Sequence, residues 1–219
     1  MWVYVVTAFL FFSGISVLGE GKPAIEAILG GHGSAAHWHR WIGFVLIGSG
    51  VLVLVVRPRA SRGFLRDSLT FRRSELKWFT TYPSFLAAPR RHAPERHRGH
   101  FDPGQRVMNV AVLLCFAALS VTGVMMAFAQ AITPGAFAWS LRVHRLATWL
   151  LAAAVVGHVL VASGVLRAYR GVWRAMHRGG RVQTRLAHRL WPVWTERHPD
   201  AAHTLGAGRG EASRGSVEH

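Results

Sequence analysis

The feature that most limits how this chain can fold is an alternation. Long, nearly uncharged apolar blocks are separated by segments dense in arginine. Four such blocks run over about residues 2–18, 38–56, 107–129 and 141–166. A helix needs about 20 mostly apolar residues to cross a hydrocarbon core of about 30 Å, and only structures that satisfy their own backbone hydrogen bonds survive there. The second and third blocks meet that length, and the fourth exceeds it and must tilt or project. The first is shorter. It lacks a basic leading segment and a small-residue cleavage site, so it reads as a helix and not as a signal peptide. The expected fold class is therefore all-α: a membrane four-helix bundle over residues 1–198. Residues 199–219, rich in Gly, Ser and charge near the end, are expected to form a disordered tail.

Charge fixes the expected orientation. The chain carries 26 Lys and Arg against 10 Asp and Glu, a formal charge of +16. These cations are concentrated in the connection from Arg57 to Arg106 and in the tail after Leu166. In contrast, Gln130 to Ser140 carries no charge and Glu20, Lys22 and Glu26 nearly cancel. Positive segments stay in the cytoplasm. Both termini and the central loop are expected there, with the two neutral loops outside, in a bacterial inner membrane. Arginines that flank apolar blocks serve this topology, so a nucleic-acid partner is not expected. Residues 65–79 mix apolar and basic side chains at helical spacing and read as an amphipathic segment on the membrane surface. Pro83, Pro89, Pro94 and Pro103 are expected to break the chain after it. A single cysteine, Cys115, excludes a disulfide framework, a CxxCH haem attachment and an all-cysteine iron–sulfur cluster.

Of 13 histidines, most lie in the basic segments and read as solvated. Among these are His92, His97, His100 and His188. Three sit otherwise. His39 opens the second block, His144 lies near the start of the fourth, and His158 lies well inside it. A polar side chain in an apolar helix usually faces a partner or a cavity. Helices two and four both start from the outer side, which puts His39 and His144 at one depth, facing each other. Two imidazoles from opposed helices are what a low-spin haem b takes as axial ligands. His158 follows His144 by fourteen residues, close to four turns and about 21 Å along the axis, on the same face. One helix thus offers ligands for two stacked haems. Gly43, Gly48 and Gly50, with Gly123 and Gly157, leave room for a flat macrocycle or tighten helix packing. The competing reading is that these histidines only hydrogen-bond between helices. His32 and His37 are less suited to the outer pair, because one falls in the loop and the other off the His39 face.

Several stretches together resemble the gamma subunit of membrane-bound formate dehydrogenase, a di-haem cytochrome b. They resemble, more distantly, the cytochrome b subunit of nickel–iron hydrogenases. These are Phe101-Asp102-Pro103-Gly104-Gln105-Arg106, Val121-Thr122-Gly123-Val124-Met125-Met126, and His144 with Gly157-His158. Ser13-Gly14-Ile15-Ser16, His39-Arg40-Trp41-Ile42-Gly43 and the tail with Trp173, Trp191 and Trp194 add to the likeness. The resemblance implies that His39 and His144 bind an outer haem and His158 an inner one. It also implies that a quinone is reduced near Asp102, Gly104 and His158. The family's fourth ligand is a His just before a Trp at the start of helix one. Met1 stands in that place before Trp2, so the expectation is a start codon assigned too late, or else a methionine ligand, or a single haem.

The implied role is an electron conduit. An iron–sulfur subunit of a catalytic dehydrogenase delivers electrons from formate, which pass through one or two haems b to menaquinone or ubiquinone. A hydrogenase or thiosulfate-reductase cytochrome b is the alternative of the same class. A haem-free membrane scaffold or transporter is the alternative of another.

Overall fold

A computed structural model describes residues 2–17, 27–93, 95–97, 101–173 and 184–197. The 199–219 tail, Pro94, Met1 and several of the basic-segment histidines lie outside the described residues. Among the described residues the α-helices, in chain order, are α1 Trp2–Val17, α2 His32–Val56, α3 Pro58–Leu69, α4 Leu76–Ala87, α5 Pro103–Ala127, α6 Pro134–Ala162, α7 Thr184–Leu190 and α8 Pro192–Arg197. Short 3-10 turns fill Arg73–Glu75, Ala129–Ala131 and Arg167–Tyr169. No strand occurs among the described residues. The all-α expectation holds.

Three helices, α2, α5 and α6, are long and apolar enough to cross a membrane, and α1 carries a shorter apolar stretch, Val5–Val17. The 16 residues of α1 extend about 24 Å at 1.5 Å per residue. Large apolar side chains along the long helices stand exposed, among them Val45, Leu52, Val55, Leu114, Val121 and Leu146. A surface of that kind suits lipid.

The helices begin earlier than the apolar blocks do, for local reasons. Pro103 and Pro134 each occupy a first helical position, where a missing N–H costs nothing. Asp102 Oδ1 accepts the Gln105 backbone N–H at 2.8 Å and caps α5. Thr133 Oγ1 accepts from Ala136 N at 3.2 Å and caps α6. The helix α2 starts after Gly30 and Gly31, at φ 79 and 91, a left-handed backbone that glycine adopts freely. Gly164 at φ 77 ends the run of α6 in the same way.

Two details differ from the sequence reading. The 65–79 segment is not one amphipathic helix: the end of α3, a 3-10 turn and the start of α4 share it. Pro83 does not break the chain but sits inside α4. The hydroxyls of Thr80 and Thr81 donate to the Lys77 carbonyl at 2.9 and 3.0 Å in the turn before it.

The chain forms two compact units. The first comprises residues 1–64 and 111–154, and the second 65–110 and 155–219. In the first unit, α1 packs along α2. Phe11 of α1 meets Trp149 of α6 edge to face at 5.6 Å, and Gly50 of α2 lies against Phe116 of α5. Four helices therefore enclose one interior, as a bundle should.

The second unit has its own core of Phe85, Ala168, Tyr169, Val172 and Leu190. Arg189 bonds the Pro89 carbonyl and lies over the Phe85 ring. Arg106 is buried where α5 begins. Its guanidinium donates to Phe101 O at 2.9 Å, Thr70 O at 2.7 Å and Glu75 Oε2 at 2.7 Å. Asn109 donates to Ser68 Oγ at 3.0 Å. A buried pair of this kind is strongly committed, because removing one partner leaves the other charge uncompensated.

Candidate functional site

The first unit holds the clearest constellation. His39 on α2 and His144 on α6 face each other with ring centroids 6.3 Å apart and planes at 69°. Each ring is anchored by a hydroxyl on the preceding long or apolar helix. Ser13 Oγ of α1 lies 3.0 Å from His39 Nδ1, and Thr122 Oγ1 of α5 lies 2.9 Å from His144 Nδ1. The two hydroxyls have spent their own protons. Ser13 donates to Leu10 O at 3.3 Å and Thr122 to Ala118 O at 2.6 Å. An imidazole that donates its Nδ1–H to such a hydroxyl keeps the Nε2 lone pair for a ligand.

The residue after each hydroxyl is glycine, which at Gly14 is a tight steric fit and at Gly123 an ordinary close contact. A Cβ on Gly14 would lie 3.2 Å from His39 Cε1, and one on Gly123 would lie 3.5 Å from His144 Cε1. The unit thus repeats one device twice: a hydroxyl–glycine pair on one helix seats an imidazole on the next. Ser13 is fully buried and Thr122 is 1% exposed, so water does not substitute for either contact.

This geometry passes a test for a haem. Metal–imidazole nitrogen bonds of about 2.0 Å, with about 1.2 Å from each nitrogen to its ring centre, give a centroid separation of about 6.4 Å across a shared ion. The backbone of α2 is also uncrowded one turn from His39. Gly43 lies one turn from His39 on the stripe that reaches Gly50 and the interior, yet a Cβ there would meet nothing within 4 Å. No group of three or more His, Cys, Asp or Glu that would hold a bare metal ion occurs among the described residues. A porphyrin iron asks only for two axial ligands.

The neighbouring histidines are used otherwise. His32 Nδ1 bonds the Ser16 carbonyl at 3.1 Å. His37 makes ring contacts with Trp38 and Trp41 and lines a small pocket with Arg40, Phe44 and Phe128.

The remaining expected site residues fall in the second unit. His158 is half-buried on α6, with open space beside Gly157. Its expected opposite ligand at Met1 lies outside the described residues. Asp102 and Gly104 have evident local work. Asp102 caps α5, and a Cβ on Gly104 would come within 2.6 Å of Trp78 Cη2. Trp78 in turn stacks on Tyr82 at 4.1 Å. Among the described residues, no hydrogen bond or ring contact joins His158 to either.

Sequence reasoning missed three features here. His97, which its basic surroundings mark as solvated, is only 4% exposed. Tyr82 and Tyr169 interact through their phenols within the aromatic cluster. Burial raises the pKa of both phenols, and the nearby Asp102 charge adds to the rise. The Glu75–Arg106 pair was also missed, because Arg106 looked like one more cation in a basic loop.

The chain was compared with known families as a whole. The family described as prokaryotic cytochrome b561 matches residues 2–179. The chain belongs to that family, and membership implies haem b in a membrane electron-transfer subunit. No individual curated protein matches the chain.

Proposed function

We propose that this protein is the haem-binding membrane subunit of a formate dehydrogenase. It would carry electrons from an iron–sulfur subunit to menaquinone or ubiquinone. The observation that carries the reading is the facing pair, His39 and His144, with a hydroxyl at Nδ1 of each ring. His39 and His144 hold haem b through Nε2 of each ring. His158, fourteen residues further along α6, holds a second. When bound, haem supplies one-electron redox chemistry that the side chains lack.

The chain's own residues do the rest. Ser13 and Thr122 hold the imidazoles in one tautomer and one orientation. The helices exclude water and fix the spacing of the two ligand positions. Quinone reduction consumes two electrons and two protons. Asp102, on the cytoplasmic side by the charge argument, takes up a proton from that side and passes it to the reduced quinone oxygen, and Gly104 lets the Trp78 indole pack against the start of α5. Both termini lie in the cytoplasm in this reading.

The second reading is a hydrogenase cytochrome b subunit, favoured by the resemblance to nickel–iron hydrogenase subunits. One assay separates them. Membranes bearing the native complex are given formate, hydrogen or thiosulfate, and the b-type alpha band is followed. Formate-dependent reduction, reversed by added quinone, supports the proposal. Reduction by hydrogen alone supports the second reading, and a thiosulfate response from the quinol-reduced state points to the reductase. Absence of any b-type band would refute all three.

A further inference from the structure

The first unit contains a cleft that the proposed electron path does not use. It lies between α2 and the end of α5 and is lined by His37, Arg40, Trp41, Phe44, Ala127 and Phe128. The four residues from α2 are spaced by three, four and seven positions, so they share one face of that helix. At about 100° per residue, this face is turned about 130° from the stripe that carries His39, Gly43 and Gly50. The cleft is therefore not part of the interior where the two imidazoles meet. Its volume, about 190 Å³, is below the roughly 300–1,000 Å³ of ordinary small-molecule pockets and suits a headgroup rather than a macrocycle.

The chemistry of the lining is lopsided. It offers one permanent cation, Arg40, and no carboxylate. Among the described residues Arg40 enters no ion pair. Around it stand the rings of His37, Trp41, Phe44 and Phe128, and Trp41 is 57% exposed. The depth of the cleft is also defined. Arg40 is the last charge before an unbroken uncharged run, Trp41 to Val56, that completes α2. That run covers about 24 Å at 1.5 Å per residue, most of a hydrocarbon core. Arg40 thus sits where lipid headgroups begin, beside tryptophans of the kind that gather at that boundary. The charge asymmetry places this end of α2 outside, where cations are otherwise few.

We propose that this cleft binds an anionic phospholipid, with Arg40 and His37 on the phosphodiester and Trp41, Phe44 and Phe128 against the glycerol and upper acyl chains. The guanidinium fork matches two phosphate oxygens at once. The imidazole of His37 adds an N–H donor. A zwitterionic lipid gains less, because no carboxylate lines the cleft to receive its ammonium group. A free inorganic anion gains less too, because it leaves the aromatic walls uncovered. The proposal requires that α2 spans the membrane and is independent of which dehydrogenase supplies electrons.

The test uses the purified full-length protein with its haem, stripped of lipid in detergent. Dioleoylphosphatidylglycerol or dioleoylphosphatidylethanolamine is titrated in, and bound lipid is counted by native mass spectrometry. The parent is expected to bind one phosphatidylglycerol about tenfold more tightly than phosphatidylethanolamine. Arg40→Gln is expected to remove that preference, a loss of about tenfold for phosphatidylglycerol, as the loss of a charge-assisted contact implies. Arg57→Gln, at the other end of α2, is expected to keep it, and both variants are expected to keep the parent haem content. Equal binding of the two lipids by the parent overturns the site, as does an Arg40→Gln protein with the parent preference. Displacement of phosphatidylglycerol by millimolar inorganic phosphate would mark a free-anion site instead. Loss of haem from the Arg40→Gln protein would assign the arginine to a haem propionate and overturn the lipid site.

Discussion

Replacing Thr122 by Val tests the cradle around the two imidazoles. Valine keeps the shape of threonine but removes the oxygen that accepts from His144 Nδ1 at 2.9 Å. Thr122 is 1% exposed, so no water replaces it. A buried N–H left without an acceptor costs about 1–3 kcal/mol. At about 1.4 kcal/mol per factor of ten, this is about 5- to 150-fold in haem affinity. Losses at such supporting contacts run about 10- to 100-fold, so about 30-fold is the central expectation. Thr122→Ser keeps the acceptor and should stay within about threefold of the parent. The assay is haem transfer from the purified protein to excess apomyoglobin, read in the Soret band. Parent-like transfer by Thr122→Val would refute the claim that this hydroxyl holds a ligand.

Other substitutions probe the same architecture. Gly104→Ala places a Cβ at 2.6 Å from Trp78 Cη2, and Trp78 is pinned against Tyr82. It should lower stability by about 1–3 kcal/mol, seen as an earlier midpoint in thermal unfolding followed by tryptophan fluorescence; an unchanged midpoint contradicts the packing. Gly43→Leu fills the space one turn from His39 and should abolish haem incorporation, while Gly48→Leu on the opposite, exposed face should not. Equal haem in both purified variants would remove the cradle.

Much of the bundle was legible because the bilayer imposes a length and a charge asymmetry that survive in one dimension. His39 and His144 were legible for a related reason. An imidazole in an apolar helix needs a partner, and the charge argument put both at one depth. The true helix starts were less visible, because hydropathy registers the apolar run and not the proline and capping residue before it. Thr133-Pro134 and Asp102-Pro103 carry that signal, and weighing them as caps would have moved both starts.

The roles of Ser13 and Thr122 stood in the sequence only as parts of motifs. Which ring each hydroxyl meets depends on packing across 22 to 26 residues of chain. His97 and Arg106 were hidden by their surroundings. Each sits among other basic residues, and composition gives no means of telling the buried member of such a group from the solvated ones. The acid that partners Arg106 lies 31 residues earlier, at Glu75.

The central claim is that imidazoles from α2 and α6 grip one haem. Pyridine haemochrome assay of haem per chain in the purified parent, His39→Ala and His144→Ala proteins tests it most directly. The account predicts at least one haem b per parent chain and the loss of the same one haem in each variant. Retention of the full parent haem content in both variants would contradict it.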